Sequence, residues 1–346
     1  MGLSISDVHL ARAADTLLGG HFCVQKGETV VLTADDRTDT AILDALVTGA
    51  ARHGAKPCVL TFPQLPFQGA LADPYITDPV LAATANSDVW LDLTFPYMAG
   101  SKAFDAAMKQ RRTRYMLLGD IGAAGFARLY GRVDFDRLFE LQLAVDRFFV
   151  EAQGKAGRIT SPAGTDIEFV VGKPATKKER YAKNPGSQTV PGSAIFYPEL
   201  DSVRGVIALE SIFHEYYTPL QTPLKLEIDG KIRALDGAAA DVRVADRSLR
   251  RAGGGEYGHV IHLTIGLHPC AVISGRSFIE DIRAVGANAI GLGLPWWLPG
   301  GGENHPDGVV TDQSMWIDGV QVVDRGRLVH PGPAAELLAG FAPLVG

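Results

Sequence analysis

Cysteine is scarce in this chain. Its 346 residues hold three, Cys23, Cys58 and Cys270, an odd and scattered set. That excludes a disulfide framework and points to a reducing compartment. Blocks of positive charge are missing too. The formal net charge is −6, and the basic stretches at 109–114 and 173–183 read as solvated faces. Nucleic acid is therefore not an expected partner. No apolar run reaches the roughly 18 residues that a membrane span needs. The first twenty residues lack a cationic stretch followed by an unbroken apolar run, so they do not read as a signal peptide. A cytoplasmic protein without membrane contact is the expectation. The chain also lacks a dinucleotide fingerprint, because its first strand ends in Thr33-Ala34-Asp35-Asp36-Arg37. Gly253-Gly254-Gly255 and Gly300-Gly301-Gly302 neither sit between a strand and a helix nor carry a Walker lysine, so no nucleotide cofactor is expected.

What is present is ample apolar material, 46% of residues with 21% charged, enough to fill the cores of two ordinary domains. Apolar positions at helical spacing over 4–18 end at Gly19-Gly20, which predicts an amphipathic helix with a glycine stop. Strands are then predicted at 28–33, 57–62, 89–93 and 114–118. Helices are predicted between them at 39–52, 78–86 and 102–111, with Asp78 as N-cap and Pro79 at the first helical position. Short apolar strands alternating with helices imply a parallel sheet covered on both faces. Residues 1–151 thus read as a Rossmann-like or flavodoxin-like α/β domain. From 152 to 346 the pattern changes to α+β. A hairpin is predicted around Ser161-Pro162-Ala163-Gly164 and a tight turn at Asp229-Gly230. The polar segment 173–187 reads as a loop, a strand is expected at 260–265 and a helix at 277–284.

The chemistry-bearing residues fall in that second half. In Gly300-Gly301-Gly302-Glu303-Asn304-His305-Pro306-Asp307-Gly308 an imidazole and a carboxylate stand two residues apart, separated by a proline that stiffens the backbone. In extended chain, period-two alternation puts His305 and Asp307 on one side. Upstream, His262 lies in an apolar strand, and His268 follows an even number of residues later, which regular alternation would place on the same face. Two histidines and one carboxylate are the ligand set of an open mononuclear site. His262, His305 and Asp307 supply that set, although residue types alone leave iron, zinc and manganese unseparated.

Read in order, Tyr257-Gly258-His259-Val260-Ile261-His262, Ile265-Gly266-Leu267-His268-Pro269, Ala289-Ile290-Gly291-Leu292-Gly293, His305-Pro306-Asp307 and Met315-Trp316-Ile317-Asp318-Gly319 resemble the 2,5-dihydroxypyridine 5,6-dioxygenases. These are relatives of the aminopeptidase T family. The resemblance spans most of the chain, with its specific motifs between 205 and 325. It implies a second domain of aminopeptidase T type, and iron(II) held by His262, His305 and Asp307. In the peptidases the position of His262 is a glutamate, and a histidine near Ala289 binds a second metal. Here that second site is dismantled. The family's substrate histidine in the first domain is matched by Thr94-Phe95-Pro96-Tyr97-Met98, its acid/base histidine falls near Thr189, and its substrate serine is replaced by Gly291 or Leu292.

The resemblance implies a ring-cleaving dioxygenase acting on a hydroxylated heteroaromatic or aromatic compound with dioxygen, as a homo-oligomer. His214 and Glu210 are candidates for acid/base work, alongside Thr189 at the family position. Tyr97, Gly291, Trp296, Trp297 and His268 are candidates for substrate contact, the tryptophans as a clamp on an aromatic ring. The alternative is a single-metal zinc or manganese hydrolase of an amide, lactone or peptide bond, with Glu210 or His214 as base.

Overall fold

In the computed structural model, residues 5–174, 180–301 and 305–341 are described. They form two compact units, one drawn from Met1–Phe135 and Glu179–Pro191, the other from Asp136–Lys178 and Gly192–Ala342. The first begins with α1 (Ile5–Asp15), β1 (Thr29–Asp35), α2 (Thr40–Arg52), β2 (Lys56–Phe62), α3 (Asp78–Ala85), β3 (Val89–Asp92), α4 (Lys102–Lys109), β4 (Arg114–Leu117) and α5 (Ala123–Phe126). Next come α6 (Phe135–Glu151), β5 (Ala156–Thr160) and β6 (Asp166–Pro174), after which β7 (Gly186–Gln188) returns to the first unit. The second unit continues as β8 (Ser193–Pro198), β9 (Arg204–Phe213), β10 (Tyr217–Asp229), β11 (Lys231–Asp236), α7 (Ala239–Ala252), β12 (His259–Gly266), α8 (Phe278–Asp281), β13 (Asn288–Gly293), β14 (Asp307–Val310), β15 (Ser314–Ile317), β16 (Val320–Asp324), β17 (Arg327–Leu328) and α9 (Gly332–Ala339).

The first unit carries a parallel sheet in the order β2-β1-β3-β4-β7. All four residues of β3 are buried, as a central strand with both faces covered requires. Trp90 anchors this core, edge-on to Tyr115 with centroids 4.7 Å apart, and its indole N–H donates to Thr33 Oγ1 at 2.9 Å. The chain order reverses between β1 and β3, the switch point at which open α/β sheets present their loops to a ligand. There Asp92 accepts five hydrogen bonds, from the Thr33, Thr94 and Tyr115 hydroxyls and the Thr94 and Met98 N–H groups. Asp35 accepts the Phe95 N–H. The two carboxylates tie down the segment that holds Tyr97.

Four local expectations need correction. The first helix does not stop at Gly19-Gly20 but runs on through a π-helical turn, Thr16–His21. Gly19 is there for space, since a Cβ would lie 2.6 Å from the His53 ring. The cap of α3 is Thr77, with Asp78 as its first helical residue. The polar segment 173–187 is not all loop. Gly186–Gln188 forms the edge strand β7, held by backbone pairing to β4, which needs no apolar pattern; residues 175–179 lie outside the described residues. The helix expected at 277–284 is only the short α8, capped by Ser277.

The second unit is built on one antiparallel sheet, and the pairing of β6 with β9 closes part of it on itself. Strands β6, β9, β14, β13, β12 and β8 each pair with the next around a ring, a closed barrel without free edges. Four neighbours in that ring, β12, β13, β14 and β9, form the wall on which the chemistry-bearing residues stand. Among the described residues no helix is long and apolar enough to cross a membrane.

Candidate metal centre

Strand β12 is buried at every position, so its His262 is presented from a rigid support. His262 pairs in register with Gly291 of β13, Gly291 with Asp307 of β14, and Asp307 with Phe213 of β9. Residues paired across antiparallel strands project from the same face, so imidazole and carboxylate meet across the glycine strand. Gly291 makes this possible, because a Cβ there would collide with the His262 ring. Asp307 opens β14 rather than lying in a loop, and His305 stands just before it.

The donor atoms converge. His262 Nε2 lies 3.1 Å from His305 Nε2 and 3.2 Å from Asp307 Oδ1, and His305 Nε2 lies 3.8 Å from Asp307 Oδ2. All three residues are buried. Two imidazole nitrogens and a carboxylate facing one another at such distances repel unless a proton or a cation stands between them. Among the described residues they form a group able to hold a metal ion, with ligand atoms within 4.8 Å of one another. The donor set fits a divalent metal. Thr264 Oγ1 lies 3.1 Å from His262 Nδ1. A proton kept on that nitrogen leaves Nε2 with its lone pair toward the centre. Burial works to raise the Asp307 pKa, but the His305 and His262 imidazoles outweigh it and hold the carboxyl below the usual aspartate range. The Trp296 indole stacks on His305, with centroids 5.8 Å apart and planes 29° apart.

Glu210 is occupied at the far end of β14, where its carboxylate accepts the Thr311 N–H at 2.6 Å and the Thr311 hydroxyl at 2.9–3.0 Å. His214 follows Phe213 and is buried; its Nδ1 lies 3.0 Å from Glu215 Oε2 and 2.8 Å from the Glu215 backbone nitrogen, and a proton on Nδ1 donated to the carboxylate leaves Nε2 with its lone pair. Glu215 also pairs with Arg251 of α7. Burial works to raise the Glu215 pKa, yet the hydrogen bond to His214 and the Arg251 charge together hold it below the usual range. His268 does not share the β12 alternation, because the strand ends at Gly266. It is fully buried, its Nδ1 accepting the Cys270 N–H at 3.2 Å. Trp296 and Trp297 meet edge-to-face at 4.8 Å. Tyr97 is buried and Thr189 exposed, both in the first unit.

Three contributors were not singled out from the sequence. Thr264 stands two residues beyond His262, and strand alternation alone would have placed it on the same face. Arg251 is far from Glu215 in sequence, and no local signal joins them. Asn288, beside the lost second-metal position, is engaged on both sides. It accepts the Thr264 N–H at 3.0 Å and donates to Gln313 at 2.8 Å.

Residues 20–330 match the NicX family, 2,5-dihydroxypyridine 5,6-dioxygenase. Among solved structures the chain is similar to the 2,5-dihydroxypyridine dioxygenase of Pseudomonas putida KT2440. The TM-score is 0.71 at 20% identity, covering 96% of this chain and 100% of that one. It is also similar to wild-type AmpT from Thermus thermophilus, with TM-score 0.65 at 14% identity, covering 93% and 99%. At these identities the two structures speak for the fold. No curated protein sequence matches significantly.

Proposed function

The chain belongs to the 2,5-dihydroxypyridine 5,6-dioxygenase family, an oxidoreductase family of ring-cleaving dioxygenases, and from that premise we propose that it opens a hydroxylated N-heteroaromatic ring at an iron(II) centre. The observation that carries the reading is the convergence of His262, His305 and Asp307 on one point. Two neutral nitrogens and one carboxylate leave positions open for other ligands. When bound, iron(II) supplies the redox chemistry that joins the ring and dioxygen.

The protein's own residues do the rest. Asp307 gives the centre a negative charge that offsets part of the metal's. Thr264 fixes the His262 tautomer, and Gly291 clears the space in which that imidazole stands. Trp296 holds the plane of the His305 ring and offers an aromatic wall beside it. Proton removal from a ring hydroxyl is assigned to His214 Nε2, with Glu215 beside Nδ1 to stabilise the charged imidazole. His214 follows Phe213, the residue opposite Asp307. Both oxygen atoms end in the product as one C–C bond of the ring breaks. A hydrolytic reading is less well supported, since Glu210 is engaged by Thr311 and Ala289 offers no donor. We also place the protein in the cytoplasm as an assembly of several copies, on its scarce cysteines and the family likeness.

The test is anaerobic loading with iron(II) followed by oxygen uptake on 2,5-dihydroxypyridine. The expected result is one dioxygen consumed per ring opened, with the product heavier by both oxygen atoms. Oxygen-independent turnover of an amide or lactone by the zinc-loaded protein would overturn the reading.

A further inference from the structure

Trp296, which stacks on His305, also lines a cleft of about 610 Å³. Its walls include Lys173, Tyr197, Glu199, Leu200, Trp296 and Trp297. The volume lies within the roughly 300–1,000 Å³ of small-molecule sites. Three of the walls are aromatic and nearly perpendicular to one another. Tyr197 meets Trp296 at 74° and Trp297 at 87°, with centroids 5.6 and 5.4 Å apart, and the two tryptophans meet at 85°. Trp296 is 37% and Trp297 48% exposed, whereas Trp90 in the first unit is fully buried. Two adjacent indoles left half in water are an exposed apolar surface of the kind that marks a binding site.

A corner of perpendicular rings suits one kind of occupant. A flat ring can stack on one wall while presenting its edge to the next, satisfying both quadrupoles. Trp296 is the shared element, since the indole that lines the cleft also packs on a metal ligand. The cleft and the centre thus have one indole in common. We propose that it is a substrate subsite that takes a second planar ring, fused or pendant, on the hydroxylated ring bound at the metal. This rests on the dioxygenase reading and sharpens it, because the preferred substrate is then larger than a single pyridine ring. Lys173 and Glu199 at the rim leave room for a polar substituent on the outer ring.

The test compares 2,5-dihydroxypyridine with its benzo-fused and phenyl-substituted analogues. Affinities are measured by calorimetry under argon, so that no turnover is needed. A two-ring analogue is expected to bind roughly ten-fold more tightly, the gain of one additional stacked ring. Trp297→Ala is expected to remove that advantage, and Trp297→Phe to keep part of it. Equal affinity for one-ring and two-ring ligands would overturn the subsite, as would an advantage that survives Trp297→Ala. So would a change of oligomeric mass in Trp297→Ala without a change in relative affinity, which makes the cleft a contact between copies. Tight two-ring binding without oxygen uptake by the iron-loaded protein would support the subsite while overturning the dioxygenase reading, so the two fail separately.

Discussion

Each unit buries an aspartate, and the two are compensated in opposite ways. Asp92, at the end of β3, meets five donors, two of them backbone N–H groups. Burial still dominates and pushes its carboxyl above the usual aspartate range. Asp307 meets two imidazoles, and they pull its carboxyl down against the same burial. The first carboxylate completes a hydrogen-bond network and holds a loop in place. The second faces two imidazoles that can hold its charge with a proton or, as lone-pair donors, share a cation with it. Burial alone does not separate a structural from a functional carboxylate. The chemistry of its partners does.

The largest expected effect breaks the comparison from the metal side. Asp307→Ala is expected to lose the metal, with occupancy falling by more than the roughly 10–100-fold that loss of a supporting hydrogen bond costs. Asp92→Asn is expected to keep its metal. Metal content after anaerobic loading and desalting reads both, and retention of full metal by Asp307→Ala would refute the centre. In chelator-treated protein the order reverses. Asp92→Asn turns an amide N–H₂ toward donors such as Met98 N–H and is expected to lower unfolding stability by about 3 kcal/mol. Asp307→Asn, facing no backbone donor in the hydrogen bonds described, is expected to cost less. Denaturant titration of both variants decides the order.

Much of this was legible in the sequence for a physical reason. His305 and Asp307 are neighbours in the chain and His262 lies in an apolar run, so local pattern marked all three as candidates, and the family resemblance joined them. The alternation of β1 to β4 with helices was equally local. What periodicity cannot reach is which strands pair. The closing of the barrel by β6 and β9 depends on contacts remote in sequence. So does the place of Gly291 between His262 and Asp307, which makes it a spacer for His262 in the structure whatever it does toward a substrate. Strand β7, Gly-Ser-Gln, has no apolar pattern at all and is defined only by its neighbour β4. The pairing of Glu215 with Arg251 is likewise invisible along the chain.

A milder change sharpens how the centre is held. Thr264→Val keeps the shape of the side chain and removes the oxygen beside His262 Nδ1. It is expected to weaken metal binding about 10–100-fold with little change in fold. Competition with a metal chelator measures it. An unchanged affinity would mean that packing in β12, rather than the hydroxyl, fixes the imidazole.

Glu215 supplies the smallest effect and an intermediate case between the two aspartates. Like Asp307 it is buried and held ionised by charge, but its cation, Arg251, is part of the fold. A carboxyl whose pKa is lowered by folding binds fewer protons in the native state than in the unfolded one. It therefore adds stability above the ordinary glutamate range, and that stability is lost as the pH falls through the lowered folded value. Arg251 is about one-third exposed, so solvent screens the pair. Arg251→Ala is expected to cost only about 1 kcal/mol at neutral pH. That cost should shrink toward zero in acid, where Glu215 is protonated in both states. Denaturant midpoints at several pH values measure it. A loss that stays constant with pH would assign the contribution of Arg251 to the packing of its aliphatic stem. The carboxyl beside His214 would then not depend on Arg251 for its charge, and His214 alone would remain to hold it ionised.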